Sequence, residues 1–532
     1  MKILKLTCLV PAKSANNNAP SRSLIVGTRP PSKSRAVLLA FCLGAACASF
    51  PALAAGASGV KVAVDALSSA SDAAIDSPAT EQASGKGPAP ASDTPDENAP
   101  DYWIPTLLGD MGGLRPALAE RGVTLGLTET SEWLRNVRGG LQTGQAYHGL
   151  TTLTLGLDTA QAGGWPDGNF NLSALQIHGR QLSPAYIGSL QNASGIEALN
   201  GARLWELWYQ HTLDDKLDLR LGQQSLDQEF MISQYAGTFI GAMFGWPAVP
   251  SYDLPASGGV YPLSTLGARV RARLDGSTTV LVGAFAGDPA NTSTQDPQKA
   301  NNRGTTFSLR GGTFYIAELQ YSLNQGTPGE LAAAAASGLP GSYKAGVWYH
   351  NKKFADTRVD GAGLSLADPG SSGNPRQHAG NYSIYGVADQ TVWRETDDGA
   401  RALNLFARAM TAPGDRNPVS FSANLGVTLN APFAGRDKDV VGLGLGYVRV
   451  GSHARAFDAD SNSFNSTSLP VRKSETFVEA TYQYQVTPWW QLQGVVQYTR
   501  KPGGGAADSS DPAGIQRIPN STVLGLRTNI TF

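Results

Sequence analysis

The sequence predicts an all-β protein, a transmembrane antiparallel β-barrel of about 16 strands preceded by a short periplasmic helix and a disordered lead-in. Three observations predict it. Residues Ser521–Phe532 alternate strictly, with Thr522, Leu524, Leu526, Thr528, Ile530 and Phe532 on one face and Ser521, Val523, Gly525, Arg527, Asn529 and Thr531 on the other. The same two-residue period recurs along the chain, and the connections between the periodic segments are short and long in turn. Backbone groups in lipid must all be hydrogen-bonded internally, so strands cross a membrane only as a closed barrel.

Residues 1–55 carry seven Lys or Arg and no Asp or Glu. Lys33 and Arg35 precede the apolar run Ala36–Ala48, and Pro51-Ala52-Leu53-Ala54-Ala55 supplies small residues, so this region predicts a cleaved export signal with its cut near Ala54 or Ala55. All three cysteines, Cys8, Cys42 and Cys47, lie within it. A mature chain therefore has no thiol for disulfides or metal. Residues 56–100, rich in Ala, Ser, Asp and Pro, are expected to be a disordered periplasmic segment. In 101–122 the stretch Leu114–Arg121 predicts a short helix stopped by Gly122.

From 123 to 532 the chain reads as one barrel domain. Its strand segments are placed at 123–134, 148–160, 168–179, 203–213, 216–224, 265–274, 277–287, 313–323, 342–350, 381–391, 401–410, 419–430, 440–450, 475–486, 489–500 and 521–532. The segment 419–430 sets Phe421, Ala423, Leu425, Val427 and Leu429 against Ser420, Ser422, Asn424, Thr428 and Asn430, and so clean a polar face needs water beside it. With a periplasmic amino terminus, Asp214-Asp215, Asp275-Gly276 and Thr487-Pro488 become short periplasmic turns. The opposite set, 180–202, 225–264, 288–312, 351–380, 451–474 and 501–520, is mostly long and polar, with 411–418 its short exception. A mean hydropathy of −0.19 is too polar for a helical membrane protein. Without residues 1–55, 35 basic residues (42 less seven) face 43 acidic ones, a balance of −8 that points away from nucleic acid.

The segment 265–274 holds the most informative side chains. Arg269, Arg271 and Arg273 share one face and Ala268, Val270, Ala272 and Leu274 the other. A basic residue at the bilayer midplane costs about 2–4 kcal/mol, so the arginines must line the bore. Guanidinium forks suit sugar hydroxyls and anions alike; a solvated face that only balances carboxylates stays open. Glu206 with Trp208, Asp218 with Arg220, and Glu318, Asp389, Glu479 and Gln493 fall on inward positions, where opposed charges order water across a constriction. Trp208 could offer a flat surface to a sugar ring or belong to packing. The loop 225–264, with Asp227 and the aromatics Phe230, Phe244 and Trp246, is too apolar to stand in solvent and is expected to fold into the mouth and narrow it, with a subunit contact as the alternative. Tyr482, Tyr484, Trp489, Trp490 and Tyr498 read as interfacial girdle.

From about Leu108 to Phe532 the chain resembles the bacterial carbohydrate-selective porin family, OprB. The matching blocks are Leu108-Gly109-Asp110-Met111-Gly112-Gly113-Leu114-Arg115-Pro116, Arg220-Leu221-Gly222-Gln223-Gln224 with Asp227, Glu229 and Phe230, Ala388-Asp389-Gln390, and Glu475 through Gln497-Tyr498 to Gly525-Leu526-Arg527 and Phe532. It departs from the pattern at Met111, where Trp is usual, and at Gly494-Val495, where Pro-Asp is expected. The resemblance implies a passive outer-membrane channel for glucose-like monosaccharides or small oligosaccharides, with an Arg, acidic and aromatic constriction. It also implies Phe532 as the signal read by the barrel-assembly machinery, and outer-membrane lipid and lipopolysaccharide as surroundings. Monomer and homotrimer both stay open. A general or anion-selective porin is the alternative. An outer-membrane barrel enzyme is the weaker rival: no catalytic residue, cofactor or metal is predicted, because the histidines His148, His178, His211, His350, His378 and His453 lack ligand spacing and no nucleophile elbow or phosphate loop occurs.

Overall fold

The computed structural model describes residues 106–532 apart from 215, 291–295, 325–337 and 396–399. The expected export region 1–55 and lead-in 56–100 lie outside the described residues. The expected short helix spans Leu114–Ala119, and Gly122, at a φ of 72°, ends it by turning its N–H back to the Ala119 carbonyl at 2.9 Å.

Sixteen strands follow: β1 Val123–Arg138, β2 Gly144–Asp158, β3 Gly168–Gly179, β4 Gly201–Leu213, β5 Leu217–Gln224, β6 Thr265–Arg273, β7 Thr278–Ala286 and β8 Thr313–Leu323; then β9 Gly341–Asp360, β10 Pro375–Arg394, β11 Ala402–Thr411, β12 Val419–Asn430, β13 Val440–Val450, β14 Ser474–Thr487, β15 Trp490–Arg500 and β16 Ser521–Thr531. Each pairs antiparallel with its neighbours in sequence, and β1 pairs with β16, so the sheet closes without an edge. At the seam Glu132 stands opposite Arg527 and Trp133 opposite Leu526.

Every expected segment is a strand, but several run longer. β9 continues to Asp360 and β10 begins at Pro375, so most of the expected loop 351–380 is a paired hairpin. Beyond the hydrocarbon both faces of a hairpin can be polar, and the alternation that reveals a strand disappears. The expected loop 451–474 likewise contains a helix, Ser452–Asn465, whose Asp458 and Asp460 pair with Arg472 and Arg358.

The outward positions are apolar and exposed, among them Leu207, Leu221, Val282, Leu319, Val347, Leu405, Leu425, Leu443 and Leu526. Two aromatic bands bound them. Trp165, Phe170, Tyr321, Tyr343, Trp393 and Tyr484 lie at the short-turn end and Trp133, Tyr147, Tyr315, Tyr349, Tyr382 and Tyr498 at the long-loop end, as in barrels that sit between two membrane interfaces. None of the helices among the described residues is long and apolar enough to cross a membrane. The strands do the crossing.

Candidate functional site

The bore is divided by what its wall is made of. On β7 to β11 the inward positions include Leu281, Phe285, Phe314, Ile316, Trp348, Tyr385, Val387, Phe406 and Met410, all buried. An apolar inner wall cannot face water at low cost, and the loop 225–264 covers it. Phe230, Met231, Met243, Trp246, Val249 and Leu254 pack on that wall, and Phe239 and Phe244 on Phe406 and Phe477. The inward face of β13 is glycine because the loop rings lie against it: a Cβ on Gly444 would meet Phe244 at 2.7 Å and Phe239 at 3.0 Å.

Polar groups of the wall fix the loop in place. Glu206 accepts the Ser225 N–H at 2.9 Å, Glu318 the Met231 N–H at 2.8 Å, Asp389 the Ser233 hydroxyl at 2.6 Å and the Gln234 N–H at 3.1 Å, and Glu479 the N–H groups of Ile240 and Gly241 at 2.8 and 2.9 Å. Gln493 donates to the Thr238 carbonyl at 2.8 Å. Arg408 on β11 donates to the carbonyls of Met231, Met243, Phe244 and Gly245 at 2.6–2.9 Å. The bonds to the carboxyl groups and from Arg408 are charge-assisted in a dry setting, the strong kind. Within the loop Asp227 accepts the Ser225 hydroxyl at 2.6 Å, and burial raises its carboxyl above the ordinary aspartate value against the pull of that bond.

The other side of the bore is charged. Glu229, carried in by the loop, meets Arg220 at 2.5 Å, Arg269 at 2.9 Å and Arg271 at 3.1 Å. Asp218 meets Arg269 and, at 3.4 Å, Arg273. The Gln210 amide oxygen accepts from both Arg220 and Arg269 at 3.0 Å. The Arg220 guanidinium lies 3.7 Å from the centre of the Trp208 ring. Exposure falls along the ladder: the side chains of Arg273 and Arg271 are 27% and 16% exposed, that of Arg269 0%. The inner guanidinium is therefore structural, and the outer two reach the water of the bore.

The structure thus brings Arg220, Arg269, Arg271, Arg273 and Asp218 together as one cluster and sets Glu206, Glu318, Asp389, Glu479 and Gln493 inward but against the loop backbone. Phe230, Phe244 and Trp246 lie in the loop expected to narrow the mouth, and all three are buried. The loop enters the bore, yet its rings turn to the wall because that is where apolar surface is buried. Trp208 is buried and has one face taken by Arg220 rather than left open. Phe532 donates its N–H to the Leu127 carbonyl at 2.9 Å, and its own carbonyl accepts from Arg115.

Three contributors escaped the sequence reading. Glu229 sits in a loop, where no periodicity orients a side chain, although it belongs to a block quoted for the family resemblance. Gln210 and Arg408 occupy inward strand positions, and an arginine between the inward Phe406 and Met410 is a signal that could have been read.

Comparisons with known proteins agree with this architecture. Residues 142–532 match the family described as carbohydrate-selective porin, OprB family. Porin B of Pseudomonas aeruginosa is 26% identical over 451 residues, covering 80% of this chain and 91% of that one. A high-pH structure of Pseudomonas putida OprB shares the fold with a TM-score of 0.68 at 24% identity, covering 80% of this chain and 97% of that one. A closed 16-strand barrel with a lipid-facing belt, matched by this family over most of its length, belongs to the carbohydrate-selective porins of the bacterial outer membrane.

Proposed function

We propose that the channel passes small neutral sugars, glucose-like monosaccharides first, by passive diffusion along the charged side of the bore. The observation that carries this reading is the pair Arg271 and Arg273, held by Glu229 and Asp218 yet partly open to the bore. Their fixed forks offer donors spaced for neighbouring hydroxyls, and the carboxylates beside them accept, so a sugar exchanges water for prepositioned partners. The anchored loop 225–264 keeps the passage narrow and the donors in place. Export through a cleaved signal in 1–55 and assembly by way of Phe532 complete the proposal. Liposome swelling with a sugar series tests it: monosaccharides should enter faster than disaccharides of similar polarity, and equal rates would remove the selectivity claim.

A second reading, an anion-preferring pore, draws on the four guanidiniums that contact the two carboxylates Asp218 and Glu229. Reversal potentials across a salt gradient, measured with and without glucose, separate the two. A strong anion bias that sugar leaves unaltered would favour the second reading.

A further inference from the structure

Beyond the aromatic band at the long-loop end, the outward face turns basic on one part of the barrel. Outward residues alternate with those of the bore, so the next outward residue after Trp133 on β1 is Arg135, after Tyr447 on β13 Arg449, and after Tyr498 on β15 Arg500. All three arginines are exposed. Two residues at a rise of about 3.3 Å each and a tilt near 40° carry the backbone about 5 Å past the ring. Arg180, the first residue after β3, is exposed as well and is tied beside the band by its N–H, which donates to the Tyr147 carbonyl at 2.8 Å. The strands β13, β15, β1 and β3 are every second one in the closed order, about 10 Å apart, so the four arginines form a row. On β9, across the barrel, the same step past Tyr349 is Asn351.

Arg180 also stands between two depressions. One, of about 360 Å³, is bounded by Trp133, Gln145 and Tyr147 together with Gly179 and Arg180. The other, of about 710 Å³, shares Gly179 and Arg180 and adds Asn200, Gln298, Lys299 and Asn302. The register sets Arg135 opposite Gln145, at the rim of the first. The helix Pro297–Ala300 brings Lys299 to the second and is held there by the Leu199 N–H, which donates to the Gln298 side chain at 2.7 Å. Neither depression is lined by Asp or Glu. Among the described residues, no carboxylate stands within ion-pair distance of Arg135, Arg180 or Lys299, although residues 56–532 hold more acidic than basic side chains.

This make-up selects an occupant. The floor is a pair of rings at the level where hydrocarbon gives way to headgroups, and the rim carries cations without protein partners. Guanidinium forks match phosphate oxygens two at a time, and an ammonium adds a point charge. The amides of Gln145, Asn200 and Asn302 both donate and accept, as sugar hydroxyls do. Basic residues at a membrane surface recognise anionic headgroups in this way. A phosphate headgroup without a sugar would leave those amides unmatched, and a neutral sugar would leave the cations so.

We propose that the groove beside β1 to β3 binds the phosphorylated saccharide headgroup of an outer-leaflet lipid, the chemistry of lipopolysaccharide. Arg135, Arg180 and Lys299 take its phosphates, Gln145, Asn200 and Asn302 its hydroxyls, and Trp133 and Tyr147 the apolar shoulder beneath. The row continued by Arg500 and Arg449 meets the headgroups of adjoining lipids. Bound lipid thereby ties the barrel to the outer leaflet next to the seam between β1 and β16.

Native mass spectrometry of the purified barrel in a mild nonionic detergent, titrated with diphosphorylated lipid A, tests the assignment. The barrel should take up lipid A in preference to phosphatidylglycerol. Arg135→Gln combined with Arg180→Gln and Lys299→Gln should weaken that uptake about a hundredfold while the protein still runs as folded barrel on unheated gels. Lys353→Gln, on the outward parity of β9, should bind as the wild type does. Lipid A stripped of both phosphates should bind the wild-type barrel as weakly as the triple variant binds the intact lipid, a comparison that needs no variant to fold. Undiminished uptake by the folded triple variant, or of the stripped lipid by the wild type, overturns the proposal. So does equal uptake of phosphatidylglycerol, which would remove the saccharide, or displacement of lipid A by an equal concentration of inorganic phosphate, which would remove the lipid.

Discussion

Glu132 on β1 and Arg527 on β16 are joined across the seam that closes the barrel, with Arg527 Nε donating to Glu132 Oε1 at 2.6 Å and His148 Nδ1 3.2 Å from the other carboxylate oxygen. The first and last strands have no turn between them, so this pair is part of what specifies their register. Removing one partner of a buried pair typically costs about 3–5 kcal/mol. Arg527→Ala should therefore lower the temperature at which the folded barrel converts to the unfolded band on unheated-versus-heated gels. Replacing both residues by Leu should recover most of the loss, and a double variant as unstable as the single one would refute the pairing argument.

The arginine ladder should split by exposure. Arg269 is fully enclosed between Asp218 and Glu229, so Arg269→Ala should act on folding, reducing the yield of folded barrel. Arg271→Ala with Arg273→Ala should leave folding close to wild type and instead change permeation, weakening block of ion current by glucose or shifting ion preference. Bilayer conductance of the folded fractions checks both, and a double variant that conducts and blocks like wild type would remove these two side chains from the site.

Arg408 and Gly444 should both control the bore through the loop. Arg408→Ala strands the buried carbonyls of Met231, Met243, Phe244 and Gly245, at about 1–3 kcal/mol for each acceptor left unsatisfied. Gly444→Val places side-chain atoms where Phe239 and Phe244 lie. Either change should free 225–264 from the wall, raising single-channel conductance and opening the loop to proteolysis. Wild-type conductance in both variants would show that the loop is held by other means.

The long-loop end should loosen in acid. Asp460, on the helix Ser452–Asn465, has its carboxyl lowered from 3.8 chiefly by the hydrogen bonds from Arg358, at 2.8 and 3.2 Å. A depressed folded value means the clamp stabilises above 3.8 and is lost as the pH falls through the lower folded value. Both side chains are partly exposed, so the effect is at most about 1 kcal/mol. A spin label at Ser463→Cys should be equally mobile at pH 7 and 5 and more mobile near pH 3, and Asp460→Asn should show the mobile spectrum already at pH 7.

How much of this was legible in the chain depends on what each residue had to satisfy. The strand count and the facing of Arg269, Arg271, Arg273, Leu425 and Leu526 could be read because lipid on one side and water on the other impose a strict period of two. Past the belt that constraint ends, and the outer halves of β9 and β10 and the helix Ser452–Asn465 lost their signature. Parity also told which carboxylates point inward, though not what they meet. Glu318, Asp389 and Glu479 meet loop N–H groups because the apolar inner wall of β7 to β11 draws the loop over them.

The sequence by itself determined a closed barrel, its strand order and the inward or outward side of the strand residues within the belt, because these follow from local alternation and from the need to hydrogen-bond every backbone group within the membrane. Only the tertiary structure decided that Glu229 joins the arginines and that Arg408 and the inward carboxylates hold the loop. Those contacts join residues from different strands and loops, and their geometry is set when the barrel closes and its loops pack inside it.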